Sequence, residues 1–103
     1  MIDFNAFIRF CKGLQGQTFA TRGGRAQFKL ESAQDNGIDY IVESTNKTRH
    51  STRRYIEKVL YHYTVTGSLR PRDYQHISRN ASYTLSLLKL YLDHLCRIPQ
   101  EAN

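Results

Sequence analysis

The stretch Ala26-Gln27-Phe28-Lys29-Leu30-Glu31, followed by Asp35-Asn36-Gly37 and then Ile38-Asp39-Tyr40-Ile41-Val42, decides the fold class. Ala26, Phe28 and Leu30 recur at every second position while Gln27, Lys29 and Glu31 fill the gaps, which is the period of a half-buried strand. Asn36-Gly37 accepts the positive φ angles of a tight hairpin turn. Ile38, Tyr40 and Val42 then line one face of the returning strand. Upstream, Phe19 and Thr21 carry the same alternation, and Gly23-Gly24 offers a turn into Ala26. The spacing predicts a three-stranded antiparallel meander with one apolar face that needs a cover.

Helical patterns flank the meander and can supply that cover. Phe4, Phe7, Ile8 and Cys11 follow the i, i+3, i+4, i+7 spacing of one buried helix face, with Asp3 as N-cap. Ile2 and Phe7 are placed as a hydrophobic staple, and Gly13 is expected to end the helix in the left-handed conformation. Beyond the strands, Asn46 to Arg49 reads as a polar connection and Ser51 as a second N-cap. Tyr55, Ile56, Val59, Leu60 and Tyr63 then mark an amphipathic helix ending near Gly67. Arg70-Pro71-Arg72-Asp73-Tyr74 reads as a turn or short helix with Pro71 in its first turn. A final helix runs from about Ser82 to Cys96, its stripe of Leu85, Leu88, Leu92 and Leu95 widened by Leu87, Leu90 and Tyr91.

The expected fold is α+β: an N-terminal helix, a three-stranded antiparallel β-meander, then two main helices with a short helix or turn between them, packed on one sheet face. Residues 1–98 are expected to form one domain and 99–103 a frayed tail. The last helix is apolar around more than half its circumference, so it is either the central core helix or shared with a second subunit. The second option makes Leu87, Leu90 and Tyr91 a homodimer contact.

Charge is distributed unevenly. Ser44 to Arg79 holds eight basic side chains against Glu57 and Asp73, a net of +6, while the rest of the chain carries seven basic and seven acidic residues. A neutral body with one cationic third is the pattern of a surface that meets a polyanion. On the helix beginning near Ser51, Arg54, Lys58 and Tyr61 fall outward at i, i+4 and i+7. Lys47 and Arg49 precede that helix, Arg53 lies in its first turn, and Arg70 and Arg72 follow it. These cations, with Tyr61 stacking or packing on sugar, are the candidate nucleic-acid contacts. Arg22 and Arg25 flank the glycine turn and are candidates for a β-ribbon finger on nucleic acid, although a hairpin turn with basic flanks is the preferred reading.

The partner expected on these grounds is nucleic acid, duplex DNA before RNA, held without catalysis. A basic face docking an acidic protein, on an oligomeric adaptor module, is the alternative, and a solvated face serving solubility is the plainest one. A metal-free ribonuclease toxin using His62 with Asp73, or His50 with Arg53, is a further alternative. His50, His62, His76 and His94 lack HxH or HExxH spacing, so neither a metal nor a cofactor is expected. Asp73 to Tyr83 has the loose outline of a helix-turn-helix, with Arg79, Asn80, Ser82 and Tyr83 opening the recognition helix. It lacks the turn glycine, and its second helix is too apolar to keep one polar face. Ser78 or Asn80 is therefore read as a helix N-cap, and Asp35, Asp39 and Glu43 as solvated acids in or near a hairpin turn.

Cys11 and Cys96 are isolated thiols without CxxC spacing and are expected to be reduced and buried. Tyr83 to Leu95, the longest apolar-rich stretch, is interrupted by Ser86, Lys89 and Asp93 and is too short to span a bilayer. No basic segment followed by an apolar one opens the chain, so the cytoplasm is the expected compartment.

Overall fold

Each of the patterned segments forms, and one unpatterned segment joins them. The structure is a computed structural model that describes residues 2–21, 24 and 26–97. Helix α1 spans Phe4–Lys12, and strands β1, β2, β3 and β4 span Thr18–Ala20, Gln27–Gln34, Gly37–Val42 and Lys47–Thr52. Helix α2 (Arg53–Thr66), a 3-10 turn (Pro71–Tyr74) and helix α3 (Ala81–Arg97) complete the order. The strands form one antiparallel sheet in the order β1-β2-β3-β4. The class is α+β as expected, with four strands in place of three.

The additional strand is the segment read as a polar connection. Lys47-Thr48-Arg49-His50-Ser51-Thr52 contains no apolar residue, so no hydrophobic period could mark it. It forms because β3, buried on one face, would otherwise leave a row of backbone N–H and C=O groups unpaired. Val42 pairs with Lys47, Tyr40 with Arg49 and Ile38 with Ser51. Lysine and arginine on such an edge also deter pairing with a further chain. The strand takes Ser51 into the sheet, where it is buried. Thr52 becomes the N-cap of α2 instead, its Oγ1 accepting from the Tyr55 amide at 3.4 Å.

Strand β2 departs from strict alternation. Phe28 and Leu30 face the helices, but after them the inward residue is Ala33, because the register shifts between Leu30 and Ser32. A bulge of one residue swaps the faces of everything beyond it. Beyond β2, Asp35-Asn36 makes the expected turn and Gly37 opens β3 with φ 135°.

The helices cover one face of the sheet. Asp3 caps α1 through its carboxylate, which accepts the Ala6 amide at 2.9 Å, and Phe4, Phe7, Ile8 and Cys11 are buried as their spacing requires. Gly13 closes this helix at φ −71°, in the right-handed region rather than the expected left-handed one; the chain reverses at Gly16, φ 87°. Helix α3 lies at the centre. Its Tyr83 ring packs on Phe28 and Tyr40, with centroids 5.2 and 4.6 Å away, and Tyr91 meets Phe7 at 5.8 Å. Leu85, Leu87 and Leu88 are fully buried between these contacts. At about 1.5–3 kcal/mol for each such side chain, they contribute more than any exposed ion pair can.

One expectation about α3 is corrected by this packing. Leu87 and Tyr91, assigned to a homodimer contact, belong to the protomer's own core, and Leu90 is half-buried beside Phe19 and Ala20. The first turns of α3 cannot enter a DNA groove as a recognition helix, since Ala81, Tyr83, Thr84 and Leu85 are buried. Cys11 is buried, and desolvation pushes its thiol up to about 12, which keeps it protonated and unreactive. Cys96, expected in the core, is exposed in the last turn of α3. No helix among the described residues is long and apolar enough to cross a membrane. The tail 99–103 lies outside the described residues.

Candidate nucleic-acid interface

Helix α2 turns Ile56, Val59 and Leu60 into the core, which leaves its charged residues on the outer surface. Arg53 and Arg54 stand in the first turn, where no acidic residue accompanies them. That end of a helix carries the positive pole of the backbone dipole, so cations there cost about 0.3–1 kcal/mol each at low ionic strength. Arg54 and Lys58, one turn apart, add a like-charge repulsion of a few tenths of a kcal/mol. Local stability therefore gains nothing from this arrangement, whereas an approaching anion relieves it.

Arg53 and Arg54 diverge. Arg53 folds back over the Phe4 ring, 4.4 Å from its centroid, and its Nε lies 3.4 Å from the Glu57 carboxylate. Arg54 and Lys58 instead line an open depression of about 530 Å³ on the opposite side of the ridge made by Glu57 and Tyr61. His62, further along α2, and His76 and Ile77 across from that helix complete the lining of the depression. The His62 ring stands edge-on to Tyr74 at 4.6 Å and to His76 at 5.1 Å. Tyr74 is buried and donates its hydroxyl to the Ser68 carbonyl, which fixes the wall in place. Desolvation raises its phenol pKa, so it stays neutral.

The remaining expected contacts are scattered around this centre. Arg49 is committed elsewhere: its Nη1 donates to Asn80 Oδ1 at 3.0 Å and its guanidinium lies 5.9 Å from the Tyr83 ring centre, tying β4 to the start of α3. Lys47, Arg70 and Arg72 are exposed, Lys47 at the start of β4 and the arginines at the 3-10 turn. Among the described residues, Lys47, Arg54, Lys58, Arg70 and Arg72 take part in no ion pair; those formed join Lys29–Glu31, Asp39–His50, Arg53–Glu57 and Lys89–Asp93. Tyr61, 58% exposed, stands beside Arg54 and Lys58 with a free ring. Arg22 and Arg25 lie outside the described residues.

Sequence reading took the histidines as scattered, and two of them are not. His62 and His76 come from segments separated by a helix end and a 3-10 turn, so no local spacing announces their contact. His50 also has a partner. On the uncovered face of the sheet its Nδ1 meets Asp39 Oδ1 at 2.6 Å, while Ser32 Oγ donates to Asp39 Oδ2 at 2.9 Å. Asp39 is thus a strand residue with two partners, not a solvated turn acid. Ser32 donates to the carboxylate rather than to the imidazole, so this trio sets up no nucleophile–base pair. No cluster of three or more metal-ligating side chains occurs among the described residues.

The Asp39 contacts carry a pH signature. The hydrogen bond from His50 lowers the Asp39 pKa below the ordinary carboxylate range; slight desolvation opposes it, and the Ser32 bond adds to the lowering. A carboxyl group whose folded pKa is depressed stabilises the fold above its unfolded pKa, about 3.9, and loses that contribution as pH falls through the folded value. Both partners are more than a third exposed, so screening holds the contribution below about 1 kcal/mol. Urea unfolding at about pH 5 should show Asp39→Asn less stable than the parent, with the two converging at about pH 2. A deficit of equal size at both pH values would contradict this reading.

No family model matches the chain, no curated protein matches it and no solved structure matches it.

Proposed function

We propose that this is a small, non-enzymatic nucleic-acid-binding protein that holds duplex DNA, in preference to RNA, by its phosphates. The observation that carries the reading is the unpaired strip of Arg54 and Lys58 on α2, set against the helix dipole and bordered by an exposed tyrosine. Lys47, Arg70 and Arg72 supply further phosphate contacts from the neighbouring strand and turn. Arg49 and Arg53 act differently from the free cations, since each is held by a partner in the protein. They shape the surface and add to its potential more than they reach out from it. Contacts of this kind position a protein on DNA without reading bases. The surface is accordingly suited to sequence-independent binding.

The test is a fluorescence titration with a labelled mixed-sequence duplex and with RNA of the same sequence. Binding with a Kd of about micromolar order is expected at about 50 mM salt, with the duplex DNA bound more tightly. Absence of duplex binding at that salt would remove the reading and leave docking of an acidic protein as the explanation of the surface.

A further inference from the structure

We propose that the depression between α2 and the segment after the 3-10 turn is a seat for a phosphate monoester, the group that ends a phosphorylated nucleic-acid strand. Naming a strand end as the source rests on the nucleic-acid reading; the seat itself rests on the side chains that converge there. Arg54 and Lys58 enter from the outer strip of α2, His62 from one turn further along, and His76 from across the depression. The two cations take part in no ion pair among the described residues, and the two imidazole rings are 5.1 Å apart at an interplanar angle of 68°.

This grouping discriminates between kinds of phosphate. A bridging phosphate carries one negative charge and presents two free oxygens, whereas a monoester carries about −1.5 to −2 and presents three acceptors. Two fixed cations with two imidazoles that can take up protons match the second. Arg54 and Lys58 repel each other one turn apart, and a dianion beside them, hydrogen-bonded by the imidazoles, removes that repulsion. A volume of about 530 Å³ exceeds a phosphate group, and Tyr61 and Ile77 also line it. A terminal sugar and base fit there, with the tyrosine ring as stacking partner.

The groups facing the imidazoles are compatible with this. From α2 these are Arg54, Glu57, Lys58 and Tyr61, with His62 itself on the same helix; from the opposite wall come Tyr74 and His76. Glu57 is the acid on the rim, and its carboxylate is drawn to Arg53 on the other side of the ridge. Asp73, next to Tyr74 in the 3-10 turn, is occupied by Ser68, whose Oγ donates to its carboxylate at 2.5 Å. The Tyr74 hydroxyl is spent on the Ser68 carbonyl.

The imidazole resonances should be followed by NMR while inorganic phosphate is added at constant ionic strength. At about pH 7 both rings should shift with an affinity of millimolar order. His76→Gln is the informative variant, because His76 is exposed and its loss leaves the His62–Tyr74 contact intact. It should weaken phosphate binding about tenfold. A 5′-phosphorylated oligonucleotide should bind more tightly than its 5′-hydroxyl twin, and this advantage should vanish in the variant. Rings unmoved by phosphate would overturn the seat even if duplex DNA binds, and equal binding of the two oligonucleotides would overturn the strand end as its occupant. Ring shifts in a protein that binds no nucleic acid would overturn only the strand-end source and leave the seat standing.

Discussion

Replacing Arg54 with glutamate should make the fold more stable and the protein a poorer ligand for DNA. The two effects have separate causes. In the first turn of α2 an acid is favoured by the helix dipole where the arginine is disfavoured, a change of about 0.5–1.5 kcal/mol in favour of folding. The substitution also replaces a like-charge pair with Lys58 by an acid-to-lysine i, i+4 pair in the favourable orientation, adding a few tenths of a kcal/mol. On the binding side, each phosphate contact at about 0.1 M salt contributes roughly tenfold to affinity, so Arg54→Glu should cost at least that much. Arg54→Glu with Lys58→Glu should cost on the order of 100-fold and lower the salt slope by about 2. Urea unfolding and a duplex titration on the same samples would check both directions. Because the fold is not weakened, lost binding could not be blamed on unfolding. Unchanged affinity in the double variant would show that this strip is only a solvated face.

Gly37→Ala should be the most damaging single substitution outside the hydrophobic core. Gly37 has φ 135°, and a Cβ built there would lie 2.0 Å from the Ser51 carbonyl oxygen. Backbone atoms cannot yield as a flexible side chain does, so the β3–β4 pairing would have to open. Gly67 is the natural comparison: it also has a positive φ, 71°, but nothing lies within 4 Å of its added Cβ. Gly67→Ala should cost about 1 kcal/mol from backbone strain alone, and Gly37→Ala about 3 kcal/mol or more. In a domain of this size the larger figure lowers Tm by roughly 10–20 °C. Equal costs for the two variants would mean that β4 does not press on Gly37, and the four-stranded sheet would be in error.

That comparison bears on the part of the fold that the residues concealed. Alternation exposed β2 and β3 because each has one buried face, and the i, i+3, i+4 stripes exposed all three helices for the same reason. Strand β4 has no buried face except at Ser51, and its formation is dictated by what β3 needs rather than by its own side chains. The bulge after Leu30 is similarly silent, since the residues around it read as ordinary alternation. The candidate site was legible where it depended on one helix: Arg54, Lys58 and Tyr61 share a surface at i, i+4 and i+7. It was illegible where it depended on tertiary contact. Nothing local predicted that Arg53 would turn to Phe4 and Glu57, that Arg49 would reach Asn80, or that His76 would meet His62. Leu87 and Tyr91 misled in the other direction. An apolar girdle around a helix signals burial, and here the protomer's own core supplies it for those two residues.

On the proposed reading, exposed, unpaired cations hold nucleic-acid phosphates. The salt dependence of duplex binding by the unaltered protein tests it most directly. With four or five phosphates engaged by Lys47, Arg54, Lys58, Arg70 and Arg72, log K should fall linearly against log salt with a slope of about −4. Between about 50 and 200 mM salt the affinity should then drop by roughly two orders of magnitude. A slope near zero, or no binding at the lower salt, would contradict the claim.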